Sequence, residues 1–459
     1  MSREKLGSRL GFILLSAGCA IGIGNVWKFP WMAGEYGGGA FVLLYFIFLI
    51  IMGLPVMTME FALGRASQKS PIVLYKPLEP QGTKWHLHGY GMLAGLYLLM
   101  MFYTSVAGWM IKYFFSMVSG EFVGADARQI GDKFSQMLTN PTEMITYTFI
   151  VIIAGFFVCS FSLQKGLERV SKFLMIALLI IMVGLAVNSI MLKGGEEGLR
   201  FYLIPDFTKL DTLPEFARVA SGAMQQAFFT LSLGIGAMAI FGSYINKDRA
   251  LLGESLNIAI LDTFVAITSG LIIFPACFAF DIDVNNGPAL IFITLPRVFN
   301  NIGQPLGQII GAFFFIFLFF AAFTTIIAVF QAIIACCEDK FGWSKKKACV
   351  INCILIMILS LPCIFGFLGS FELFGKTMQV LDVEDFLVSN LLLPIGSLII
   401  VLFCTTKRYG WGFDKFREEA NMGKGLKVAG WMKIYFTYIL PVIVVAVFVC
   451  SMLSFFKII

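Results

Sequence analysis

Eleven stretches of this chain, most of them 20 residues or longer, consist almost entirely of apolar side chains, and that repetition limits what it can fold into. A helix needs about 20 apolar residues to cross the hydrocarbon core of a bilayer. The stretches run over 10–34, 40–64, 89–118, 143–161, 171–192, 216–243, 255–281, 307–337, 348–367, 386–405 and 434–456. Several exceed 25 residues, which implies tilt or extension past the membrane. The seventh is weakest at its centre, where Asp262 interrupts it. Composition agrees with a membrane chain: 58% of residues are hydrophobic, only 14% are charged, and mean hydropathy is +0.85. Soluble proteins run nearer one-quarter charged. The expected fold class is an all-α polytopic membrane protein with about 11 transmembrane helices, a single unit over residues 1–459 embedded in a lipid bilayer.

Met1 to Arg9 are polar and basic, and the apolar run after them continues past signal-peptide length into Gly- and Pro-rich sequence. The first segment is therefore expected to be a membrane anchor and not a cleaved leader. With the N-terminus in the cytoplasm, the tail and the loops on that side carry 23 Lys and Arg against 8 on the other. The positive-inside rule supports this orientation, and eleven spans then put the C-terminus outside. The same asymmetry accounts for the net charge of +6 without a nucleic-acid partner. Most cysteines lie within apolar runs, where a thiol behaves as a small hydrophobe. The two histidines, His86 and His88, share one polar loop, so no metal-ligand spacing is visible.

Two spans are interrupted. The first contains Gly18-Cys19-Ala20-Ile21-Gly22-Ile23-Gly24-Asn25, with Pro30 soon after. Glycine is among the least helix-favouring residues, and unwound backbone survives at membrane depth only where it is buried in protein or lines a cavity. Gly18 and Gly22 also have the spacing of a close helix–helix contact; Asn25, a carboxamide that needs a partner, favours a ligand site. The sixth span repeats the theme in Phe228-Phe229-Thr230-Leu231-Ser232-Leu233-Gly234-Ile235-Gly236. If the first ten spans form two halves of five, the breaks fall at equivalent places in an inverted pair: 10–192, then 216–405, with 434–456 peripheral. Discontinuous helices at matching positions of inverted halves point to a transport site at the bilayer midplane.

Other polar groups converge on the same place. Asp262 is an ionisable residue inside the seventh span, which is costly and usually functional. Thr324 and Thr325 lie in the eighth span, where threonines often just bond their own helix, and Tyr103 in the third could be ordinary aromatic core. Carbonyls, hydroxyls, a carboxamide and a carboxylate together suit a hard cation. Freed N–H groups at a half-helix N-terminus suit a substrate carboxylate. No phosphate-binding loop or catalytic triad appears, so an enzyme is not expected.

At these residues the chain resembles the neurotransmitter:sodium symporter family over essentially its whole length. The motifs are Arg9-Leu10-Gly11, Gly22-Ile23-Gly24-Asn25-Val26-Trp27-Lys28-Phe29-Pro30, Gly37-Gly38-Gly39-Ala40-Phe41, Gly53-Leu54-Pro55, Phe229-Thr230-Leu231-Ser232 and Gly242-Ser243-Tyr244. Among bacterial members the resemblance is to a short, eleven-span tyrosine-transporting type. It implies two sodium ions. The first would be held by the Ala20 carbonyl, Asn25, Thr230 and Asp262, and the second by Gly18, Ile21 and Ala321 carbonyls with Thr324 and Thr325. Substrate would meet Ala20, Gly22, Ile23, Gly24, Tyr103, Thr230, Ser232 and Thr325, with Leu99, Phe229, Ile235 and Val329 around its side chain. Arg3 with Asp339, near Tyr244, resembles the cytoplasmic gate, and Lys28 with Asp385 the outer one.

Three departures from the family pattern matter. Lysine at 28 cannot make arginine's bidentate fork, so a looser or water-bridged outer gate is expected. Asp262 stands where chloride-dependent relatives have a neutral residue, so a fixed carboxylate should remove any chloride requirement. Ile176 stands where relatives often have a proline ten residues after the glycine matching Gly166. No carboxylate lies beside Gly22, where Cys19-Ala20 stand, which argues against a monoamine substrate. The expectation is import of an aromatic or large neutral L-amino acid, tyrosine first, by a monomer or weak dimer in the inner membrane. A broad neutral amino acid importer and a sodium-dependent amino acid sensor or channel remain as alternatives.

Overall fold

The computed structural model describes residues 6–208, 210–284, 290–373 and 375–456, apart from the side chains of Lys165 and Ser454. Each of the eleven apolar segments forms helix. Nine helices among the described residues are long and apolar enough to cross a membrane: Gly39–Ser67, Leu87–Val118, Pro141–Ser160, Gly166–Ile190, Leu251–Ala279, Leu306–Phe341, Lys345–Leu368, Val380–Thr405 and Met432–Leu453. A tenth span comprises Arg9–Ala20 and Gly24–Glu35, bent by 52°. The remaining segment, sixth in order, is split into Leu213–Thr230 and Ala237–Gly242, and neither piece alone spans a bilayer.

Both breaks are shorter than the glycine pattern predicts. Helix persists through Ala20 and Thr230, leaving 21–23 and 231–236 between the pieces. Neighbouring spans pack against these segments and hold the helix up to the last residue before each turn.

Starts of helices follow local chemistry. Ser8 caps the first helix by accepting from the Gly11 N–H, and Asn140 and Ser344 cap the fourth and ninth spans likewise. Proline acts inside the helices. Widened π-turns at Gly24–Lys28, Leu49–Gly53, Leu290–Thr294, Phe386–Leu392 and Tyr435–Ile439 each end two residues before a proline. Proline has no N–H, and its ring collides with the carbonyl four residues back. Widening the turn restores pairing at i→i+5: Phe29 N–H donates to Gly24 C=O, Leu54 to Leu49 and Leu440 to Tyr435.

Burial sorts the spans into a centre and a rim. The eighth, third and seventh spans have 78%, 72% and 67% of their apolar window buried, whereas the fourth, fifth and ninth have 39% and the eleventh 28%. The rim therefore offers its apolar surface to lipid. The interrupted first span runs through the centre, packed on the eighth, seventh and fifth. In the last turn of the second span, Arg65 is fully buried and fixes the helix Phe413–Ala420 through a 2.7 Å pair with Glu419. A small antiparallel hairpin, Phe371–Leu373 with Lys376–Met378, joins the ninth and tenth spans. Ile176 sits on an exposed face of an unbroken helix Arg169–Ile190.

Candidate functional site

Interrupting a buried helix frees backbone groups that must find other partners. At the first break the partners are side chains from four other spans. Tyr103 of the third span accepts from the Ile23 N–H at 2.9 Å. Just past the break, Gln226 of the sixth adds a second donor to the Gly24 carbonyl at 2.7 Å, and Ser269 of the seventh donates at 2.7 Å to the Asn25 carbonyl, whose partner along the helix would be Pro30. Thr325 of the eighth lies 3.2, 3.3 and 3.4 Å from the carbonyls of Gly18, Cys19 and Ile21.

The second break is shaped by unusual backbone. Ser232 has φ +51°, a left-handed conformation rare for a non-glycine residue, between Gly234 at +88° and Gly236 at +75° on one side and the helix end on the other. Such strain, of order 1–3 kcal/mol, gathers at ligand sites. Glu60, buried in the second span, accepts the freed Gly234 N–H at 2.6 Å. The two breaks touch directly where the Ser232 hydroxyl meets the Cys19 carbonyl at 3.3 Å.

Asp262 is wholly buried, and its described hydrogen-bond partners are neutral. Asn25 Nδ2 donates at 2.9 Å, Thr230 Oγ1 at 3.0 and 3.2 Å, and Tyr45 OH at 3.1 Å. The Asn25 oxygen instead accepts from Gly22 N–H at 3.1 Å. A buried carboxylate surrounded by neutral donors retains a strong demand for a cation. Asn25 can serve that cation only by turning its amide oxygen toward it. A second set of oxygens lies at the eighth span, where Thr325 faces the Gly18 and Ile21 carbonyls and Thr324 donates to Ala321 C=O at 2.9 Å.

Between these clusters lies a narrow, nearly closed cavity of about 10 Å³, room for about one water. Cys19, Ala20, Gly24, Leu99, Tyr103, Phe229, Ser232, Ile235 and Thr325 line it, joined by Val388 and Leu393 of the tenth span. Gly22 and Gly24 cannot carry a side chain here. A Cβ on Gly22 would fall 2.0 Å from the Tyr103 hydroxyl, and one on Gly24 2.9 Å from the Phe229 ring. Val329 is buried but lies outside the lining.

Lys28 stands above Phe229. Its ammonium lies 2.9 and 2.8 Å from the two Asp385 oxygens, 3.0 Å from Ser389 Oγ and 4.3 Å from the Phe229 ring centre. This corrects the expectation of a loose or water-bridged contact. The point charge sits astride both oxygens, and burial of Lys28 and the hydroxyl of Ser389 hold it there. At the other end of the bundle, Asp339 accepts from Ser70 N–H at 2.7 Å and Gln331 donates to Tyr244 OH at 3.0 Å. Arg3 lies outside the described residues.

Sequence reasoning missed Glu60, Gln226, Val388 and Leu393. Glu60 carried a usable signal, an ionisable residue inside an apolar span. Nothing in the local sequence distinguishes Val388 or Leu393 from core.

Comparison with known proteins gives a consistent result. The profile of the sodium:neurotransmitter symporter family matches residues 3–133 and 120–458. An uncharacterized sodium-dependent transporter of Bacillus subtilis, YhdH, is 34% identical over 451 residues, covering 98% of both chains. The sodium-dependent serotonin transporter of Drosophila melanogaster is 24% identical, over 99% of this chain and 77% of its own length. Among solved structures, MhsT in complex with L-phenylalanine matches with a TM-score of 0.88 at 35% identity, covering 98% of this chain and all of its own.

Proposed function

Because the chain belongs to the sodium:neurotransmitter symporter family, whose members are membrane transporters and not enzymes, we propose that it carries a large apolar or aromatic L-amino acid into the cell with two sodium ions. The observation that carries this reading is the convergence of two oxygen-rich clusters and two broken helices on one buried cavity. In this reading the first sodium takes the Ala20 carbonyl, Asn25, Thr230 and Asp262. The second takes Gly18, Ile21 and Ala321 carbonyls with Thr324 and Thr325. The substrate carboxylate meets the Ile23 and Gly24 amides and Tyr103, displacing the Tyr103 hydroxyl from the Ile23 N–H. The substrate ammonium rests on carbonyls of Ala20, Phe229 and Thr230 near Ser232.

The lining shifts the preference among side chains. Leu99, Phe229, Ile235, Val388 and Leu393 are apolar, and the polar lining groups are needed by the carboxylate and ammonium. A tyrosine hydroxyl would lie against hydrocarbon, which costs about 1–3 kcal/mol without a partner. Phenylalanine is therefore placed ahead of tyrosine, in keeping with the ligand that MhsT holds in its solved structure. Asp262 supplies a fixed negative charge beside the first sodium, so transport proceeds without chloride. The two five-span halves act as inverted repeats with the N-terminus in the cytoplasm, the orientation favoured by the Lys and Arg distribution. Closure of the Lys28–Asp385 pair over Phe229 seals the outer side, and the region of Tyr244, Gln331 and Asp339 opens toward the cytoplasm.

Proteoliposomes test this directly. Labelled phenylalanine should accumulate only under an inward sodium gradient, and gluconate in place of chloride should leave the rate within twofold. Uptake that ignores sodium, or collapses in gluconate, overturns the respective part. Sodium-dependent binding without accumulation would mark a sensor instead.

A further inference from the structure

The tenth span makes an unusual approach to the cavity. Its helix passes the second break with backbone nearly against backbone: a Cβ on Gly234 would fall 2.3 Å from the Leu393 carbonyl, and one on Gly396 2.1 Å from the Gly234 carbonyl. The widened turn Phe386–Leu392, two residues ahead of Pro394, shapes the helix at this level. As a result, Val388 and Leu393, with 0% and 1% exposure, line the cavity beside residues of the first, third, sixth and eighth spans.

The polar lining groups come from the two breaks, the third span and the eighth. What remains for a substrate side chain is the apolar surface of Leu99, Phe229, Ile235, Val388 and Leu393. Four of these five are large, so Val388 is the small member of that wall. The wall has little freedom to retreat. At its Leu393 end the glycine contacts leave no space between the two backbones, Val388 is itself fully buried, and close-packed interiors register a change of a single methylene.

Resting on the amino acid reading above, we propose that Val388 and Leu393 are specificity-determining residues, a wall from the tenth span that sets how large a substrate side chain the closed site accepts. Because Asp385 and Ser389 on the same turns hold Lys28, a side chain that presses this wall also disturbs the Lys28–Asp385 pair. Side-chain size is then read in the rate of closure as well as in affinity.

The test compares wild type with V388A and V388I, each purified and reconstituted whole. Sodium-dependent uptake of leucine, phenylalanine and tryptophan gives kcat/KM for each. One methylene in an apolar pocket is worth about 10- to 200-fold in discrimination. V388A should therefore raise the tryptophan-to-leucine ratio about tenfold or more, and V388I should lower it, with half-saturating sodium within twofold of wild type. Ratios that stay within twofold in both variants overturn the proposal. So does a uniform loss across all three amino acids, which marks a structural role. If wild type transports none of the three, the amino acid reading itself fails, and this inference falls with it.

Discussion

Replacing Asp262 with asparagine is the sharpest perturbation the site offers. The two side chains are nearly isosteric, and the hydrogen bonds can survive: Oδ1 still accepts from Asn25 and Thr230, while the Tyr45 hydroxyl rotates to accept. Only the charge is lost. At a separation of about 4 Å and an effective dielectric of about 20, a unit charge attracts a cation by about 4 kcal/mol. That is an upper bound, because asparagine retains a ligand oxygen and sheds the carboxylate's burial cost. With about 1.4 kcal/mol per tenfold, half-saturating sodium should rise between about tenfold and a thousandfold. The sign should reverse without sodium. An unpaired buried charge is costly, so D262N should melt at a higher temperature than wild type in sodium-free buffer and lose most of the stabilisation that sodium adds. Thermal unfolding in detergent, titrated with sodium at fixed ionic strength, measures both. Half-saturating sodium within twofold of wild type, or a lower sodium-free melting temperature, would refute the electrostatic argument.

Three further outcomes follow from the geometry. G22A should abolish substrate binding in a folded protein, since its Cβ overlaps the Tyr103 hydroxyl and sits 2.5 Å from Thr325 Oγ1; ligand-dependent thermal stabilisation checks this. T325V removes the hydroxyl that faces Gly18, Cys19 and Ile21 at little change in volume, and should raise half-saturating sodium about fivefold or more, at about 1 kcal/mol per lost hydrogen bond. K28M leaves Asp385 without its cation and should cut initial uptake about tenfold or more, whereas K28R, which keeps the charge, should retain at least about a third; uptake normalised to protein in the membrane separates them.

How much of this was legible in the sequence depended on the range of the interactions. Spans are local matters of hydropathy, so all eleven segments were readable, and so were both breaks, because glycine and hydroxyl residues interrupt helices where they stand. Their lengths were not. The backbone groups freed at the breaks are taken up by side chains such as Thr325, at the Gly18, Cys19 and Ile21 carbonyls, and Glu60, at the Gly234 N–H, which arrive from elsewhere in the chain. Asp262, Asn25 and Tyr103 announced themselves as polar groups at membrane depth. Val388 and Leu393 could not, since an apolar residue in an apolar helix looks the same whether it faces lipid, core or cavity. The Lys28 contact was misjudged for a related reason: lysine's weaker geometry is a property of the residue, while the hydroxyl of Ser389 and the surrounding burial are properties of the fold.

The proline-linked π-turns have a consequence for anyone who edits this chain. Each holds one residue more than an α-helical turn would, and one residue corresponds to about 100° of rotation. In the first, second, tenth and eleventh spans the halves on either side of the turn are therefore out of phase with each other, and a helical wheel drawn through the whole span will misassign one of them. A one-residue deletion at such a turn would scarcely shorten the helix. Nor would it turn what lies beyond, because the turn then closes with the α-helical count of residues; it would set the proline ring back against the carbonyl four residues earlier, which in the tenth span strains the helix between Asp385 and Leu393.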